Sequence, residues 1–226
     1  MKLLMEHQFF GFILCVIAFR LGVWLNKKLK TPIANPLLLA IVLIILFLMA
    51  TGISVEQFQV GGSLVNMLLA PATAILALSI YRQREILKEY FLPIVAGCFV
   101  GSITSIGSVY GLCKLFRLDE KVSSSLLPKS VTTPIAMKVA ESLGGISSIT
   151  VAAVVVTGII GAIIAPLLIK VFRVKNPVAA GVAIGTCSHA MGTTKAIEIG
   201  EIEGAMSSVA IGVSGLVTVL VSLLLV

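Results

Sequence analysis

Apolar residues fill this chain in long runs, and the polar positions that interrupt them are few and clustered. Uninterrupted stretches are predicted over residues 9–25, 36–52, 63–80, 91–113, 149–170 and 209–226. Each approaches the length that crosses a hydrocarbon core of roughly 30 Å. Two more segments, 122–145 and 178–204, are moderately apolar but broken by Pro, Gly, Ser and Thr. Non-helical backbone at membrane depth has no water to bond and must be enclosed by protein or line a cavity. The pattern predicts an all-α polytopic membrane protein with about six full transmembrane helices and two broken, re-entrant elements.

The two interruptions share a chemistry. Residues 126–136 read LLPKSVTTPIA and residues 186–196 read TCSHAMGTTKA, each placing hydroxyls and a basic side chain inside apolar sequence. A shift of 60 (201 minus 141) sets Thr133 on Thr193, Ala136 on Ala196, Glu141 on Glu201, Gly144 on Gly204, Ser147 on Ser207 and Ser148 on Ser208. It also sets Lys129 opposite His189. A chance match of small residues is the competing reading. Lys and Arg following the first, third and fifth stretches put those loops on the cytoplasmic side. Segment 122–145 then enters and leaves outside, segment 178–204 inside, and the repeat is inverted, a recurrent transporter plan. If each broken segment crosses completely, the repeats are parallel and there are about eight crossings.

Pro128 and Pro134 each remove a backbone donor and push the residue before them toward extended conformations, so the first interruption breaks helix. A helix beginning near Thr133 or Pro134 presents free N–H groups beside the hydroxyls of Ser130, Thr132 and Thr133, and the second interruption offers Ser188, Thr193 and Thr194 with a helix start ahead of Ala196. Together these features suit a carboxylate. An ionisable group at membrane depth costs about 2.5 to 3.5 kcal/mol and usually faces a functional cavity, which makes Lys129 and His189 the sharpest candidates. The alternative for Lys129 is snorkelling to an interface. The candidate substrate-binding set is Lys129, Ser130, Thr132, Thr133, Ser188, His189, Gly192, Thr193 and Thr194, with Gly192 placed where the backbone unwinds. His189, Glu141 and Glu201 are candidates for a coupling ion or proton, against a solvated face for the two carboxylates. Lys138, Lys195, Glu198 and Glu203 read as interfacial charges or pairs. Gly97-x3-Gly101, Gly107-x3-Gly111 and Gly181-x3-Gly185 read as faces for close helix packing.

Composition and charge then narrow the function. With 58% hydrophobic and 12% charged residues and a mean hydropathy of +1.11, the chain has too little polar surface for a soluble globule. The net charge of +7 sits in the loops, where it reports topology and contact with anionic lipid; no nucleic-acid partner is expected. Cys15, Cys98, Cys113 and Cys187 have no metal-ligand spacing, so no metal and no cofactor are expected. No nucleophile or paired-carboxylate set suggests an enzyme. The start of the chain lacks a cleavage site of signal-peptide type and reads as a retained span. Residues 1–90 are expected to form a scaffold or oligomerisation region, and 91–226 the repeat-containing core. Small-residue faces suggest a homodimer.

The runs SLLPKSVTTPIAMKVAESLGGISSIT, VTGIIGAIIAPLL and GTCSHAMGTTKAIEIGEIEGAMSSVAIGVSGL, with LAPATAILALSIYRQ upstream, resemble the LrgB/CidB family of bacterial inner-membrane proteins. The resemblance implies a membrane transporter of small monocarboxylates of the pyruvate, glycolate or glycerate kind, working with a small LrgA/CidA-type companion and binding the small organic anion at the motifs 128–133 and 188–194. The alternative it implies is a holin- or antiholin-like pore component that controls murein hydrolase export and cell lysis.

Overall fold

The structure, a computed structural model, describes residues 8–29, 36–68 and 81–224 together with Pro71, Ala74 and Leu78. Its described residues form α-helices without strands and divide into two compact units, 1–75 and 76–226. In the first unit α1 (Gln8–Leu29) packs on both α2 (Pro36–Thr51) and α3 (Val55–Met67). Gly11 and Gly22 allow this: the α1 backbone at Gly11 lies against Phe58 and Gly62, and at Gly22 against Pro36. A side chain at either site would hold the helices apart.

The second unit carries α4 (Arg84–Glu89), α5 (Phe91–Leu115), α6 (Glu120–Leu126), α7 (Thr133–Ser142), α8 (Ser147–Val171), α9 (Pro177–Ile199) and α10 (Glu201–Ser222). Three of these are long and apolar enough to cross a membrane, α5, α8 and α10, as is Phe9–Leu29 of the first unit. The expected six full spans are therefore four among the described residues. Residues 36–52 form a helix of only 16 residues, short of the roughly 20 that span a bilayer. Half of the expected span 63–80 lies outside the described residues. The last helix starts at Glu201 rather than at 209, because its early polar residues are accommodated: Glu201 and Glu203 suit the positive end of the helix dipole, and Ser207 and Ser208 turn inward.

α5 buries Ile94, Cys98, Ser102, Ile106, Val109 and Cys113, one residue per turn along a single stripe. At its Ile94 end the stripe packs on Val178 and Met206, and at its Cys113 end on Leu127 and Val221. α5 and α10 therefore run the same way. α8 begins where Ile146 N–H donates to Ser125 Oγ at 2.7 Å and later packs Ala165 on Ile184 and Ala196, so it runs opposite to both. Two shorter hairpins fill the space between these three rods.

The first hairpin is α6 and α7. Its chain leaves at Ser125 and returns beside it at Gly145 and Ile146. Pro128 lies in the turn and Pro134 in the first turn of α7, where a missing N–H costs nothing. The second hairpin is α9, continuous by hydrogen bonding but reversed at His189, whose φ of 43° and ψ of −142° are not helical. Gly181 lies against Glu203, and beyond the bend Ile197 lies against Gly204, so both arms return to the start of α10. The two hairpins enter from opposite ends of the rods.

The rods α5 and α8 also end alike. Lys114-Leu115-Phe116-Arg117-Leu118 and Lys170-Val171-Phe172-Arg173-Val174 place an arginine at φ 52° and 51° respectively. Leu118 N–H then bonds Cys113 O, and Val174 N–H bonds Ile169 O, both at 2.9 Å, the six-to-one bond of a Schellman cap. These caps are related by 56 residues (173 minus 117), against 60 for Lys129 and His189. About one extra helical turn therefore separates cap from tip in the second copy.

Candidate functional site

The tips of the two hairpins meet. A groove of about 570 Å³ between α8 and α9 is lined by Lys129 from the first tip and by Cys187 and Ser188 from the second, with Thr157 and Gly161 on α8. On the other side, toward α5, Ser130 and Pro128 face Thr186 across a narrow cleft that also takes in Ser102, Ser105 and Thr218. Lys129 bridges these faces, since its Nζ donates to Ser130 Oγ at 3.3 Å and Ser130 Oγ shares a hydrogen with Ser105 Oγ at 2.8 Å.

The second tip is locked by its own polar groups. His189 is buried, and its Nε2 lies 3.0 Å from the Val154 carbonyl oxygen; a carbonyl only accepts, so that nitrogen carries the hydrogen. Thr193 Oγ1 donates to the His189 carbonyl at 3.0 Å and lies 2.7 Å from Ser207 Oγ. His189 and Thr193 thus position the bend and do not line the groove. Gly192, expected where the backbone unwinds, lies instead in regular helix; its missing side chain leaves room for Ser188 and Ile184 of the opposite arm. Thr194 is exposed and bonds Met191 O, and it enters neither cavity. Thr132 caps α7 without a side-chain bond, and neither it nor Thr133 lines the groove or the cleft.

Glu141 and Glu201 lie at element ends. Glu141 takes hydrogen bonds from Lys138 at 2.9 Å and Ser147 at 3.1 Å, which hold its carboxyl below the usual carboxylate range. A lowered folded value adds stability above the unfolded value of about 4.3, lost as pH falls through the folded one. Glu141→Gln is therefore expected to lower the melting temperature slightly at neutral pH and not at about pH 3. Glu201 accepts from Gln83 at 3.1 Å, and Lys195 pairs with Glu198 at 2.7 Å.

Residues that the sequence reading passed over complete the site. Gly158 and Gly161 on α8 form the floor on which the bend sits, against His189 and Ser188 respectively. Ser102, Ser105, Thr186, Ser214 and Thr218 supply the hydroxyls between the tips, with Ser214 Oγ donating to Thr186 Oγ1 at 3.2 Å. The signal available was period: Ser102, Ser105, Ile106 and Val109 recur on one helical face, as do Gly158, Gly161, Ala162 and Ala165.

Against known proteins, the profile of the LrgB-like family matches residues 15–226. A protein of Bacillus subtilis named "Antiholin-like protein LrgB" is 43% identical over 214 residues, 94% of this chain and 93% of that one. Proteins of the same name from Bacillus mycoides and Bacillus cereus are 41% identical over the same shares. No solved structure matches.

Proposed function

The chain belongs to the LrgB-like family, and from that premise we propose that it acts in a bacterial inner membrane in the antiholin-like role for which its relatives are named. We further propose that it does so through a gated path for small solutes, working with a small LrgA/CidA-type membrane protein. The relatives' name is the ground for the role; the path rests on the two hairpins, read as re-entrant elements of an inverted repeat. Hairpins entering from opposite ends bring broken helix into the interior, where enclosed backbone is tolerated. Their tips form the constriction.

A second reading has its own support: the path selects small carboxylates. Its carrying observation is Lys129, half-buried at the meeting point and lining the groove with Ser188. A Lys held there usually marks a route for a charged solute, and its ammonium attracts an anion. Proteoliposomes holding this chain with its companion discriminate the two readings. A selective path takes up labelled pyruvate, glycolate or glycerate saturably, excludes dye, and loses uptake about tenfold or more in Lys129→Met. Dye leakage unaffected by Lys129→Met leaves the antiholin-like pore component alone.

A further inference from the structure

We infer that the cleft between α5 and the two hairpin tips is a binding site for a dehydrated monovalent cation of sodium's size. Five hydroxyl-bearing residues line it, Ser102, Ser105, Ser130, Thr186 and Thr218. None of the lining residues is a carboxylate or carries a positive charge; the Lys129 ammonium donates to the Ser130 hydroxyl from outside the cleft and takes one of its lone pairs. Ser102 is the group that calls for a ligand: its side chain is 97% buried, and its Oγ has no hydrogen-bond partner. A buried hydroxyl left unpaired costs about 1–3 kcal/mol, and native proteins rarely keep one without a reason.

Three observations favour a cation over an anion or a water. Two of the five hydroxyl hydrogens are committed elsewhere: Thr186 Oγ1 donates to Cys98 Sγ at 3.5 Å, and one of Ser105 and Ser130 donates to the other at 2.8 Å. Ser102 Oγ keeps both of its lone pairs for the cleft. Next, Thr186 lies in the last turn of the first arm of α9, which ends at the bend beyond Ser188. The end of a helix facing its C-terminus carries about half a negative charge, and half-helix C-terminal ends are a recurrent way of holding Na⁺ in carriers. Finally, the cleft is too narrow for a water molecule, whereas a dehydrated Na⁺ is smaller than water. Divalent ions demand carboxylates that this cleft lacks.

Lys129 lies on the other side of Ser130, in the groove. A cation in the cleft and an anion at Lys129 would screen each other, so filling one site favours filling the other. The cation site itself does not depend on which solute the path carries, because binding is read without flux.

The test uses the purified full chain in detergent, with melting temperature measured in NaCl, KCl and choline chloride at equal ionic strength, and ²²Na⁺ binding measured by equilibrium dialysis. NaCl is expected to raise the melting temperature saturably above choline, with about one ²²Na⁺ bound per chain. Ser102→Ala should be neutral or stabilising in choline, where it only removes an orphan, and should weaken Na⁺ binding about tenfold or more. Thr218→Val provides a second variant with the same expectation if Ser102→Ala does not fold. Equal melting in all three salts, no saturable ²²Na⁺ binding, or binding undiminished in both variants overturns the site.

Discussion

Gly161→Ala is expected to unfold or severely loosen the core, and Gly107→Ala, the same exchange in another long helix, to leave it unharmed. A side-chain carbon added at Gly161 would run into the Ser188 side chain, and one at Gly158 would stand 2.6 Å from His189 Cε1 and 2.7 Å from Met191 Sδ. Rotating the Ser188 hydroxyl into the groove does not relieve the clash, because Ser188 Cβ itself would stand 2.6 Å from the added carbon and its backbone is fixed by the bend that joins the two arms of α9. Overpacking of this kind costs about 1–3 kcal/mol or more. At Gly107 and Gly111 nothing stands within 4 Å, so alanine there should gain the usual helix preference of about 0.5–1 kcal/mol. Thermal unfolding of the purified variants separates the cases. If Gly107→Ala and Gly161→Ala melt alike, α8 is not the floor of the bend.

The second large effect is expected at His189. His189→Ala gives up the hydrogen bond to Val154, fills less space over Gly158, and still forces a Cβ-bearing residue into φ 43°. The lost ring and bond together cost about 2–4 kcal/mol. His189→Gly loses the same ring but sheds the backbone penalty of about 1–2 kcal/mol that the positive φ imposes on a residue with a side chain. Glycine should therefore be the less damaging replacement. Ordinary helix would show the reverse order, since alanine outranks glycine there by about 1 kcal/mol. Melting temperatures of the two variants decide whether a strained bend or a plain helix stands at this position.

Some of this was legible in advance, and for a local reason. Pro128, Pro134 and the residues before them constrain their own backbone, so the break of the first hairpin and the start of α7 at Thr133 follow from short-range sterics. The second break carried no such marker. His189 is not a helix breaker, and Gly192, the natural suspect, turned out to be a packing residue. What holds the bend at His189 is a set of distant partners, Val154 and Gly158 on α8 and Ser207 on α10, the last acting through Thr193. Such partners cannot be read from local preference.

Hydropathy and proline act along the chain, so a helical membrane protein with two interrupted segments could be read directly from residue order, with Lys129 set opposite His189 by a shift of 60. Which of the two faces a cavity depends on tertiary packing. Lys129 lines a groove, while His189 is buried in the bend as a brace. That split arises from long-range packing: α8 offers glycine where the second tip lands, and α5 offers serine where the first one does.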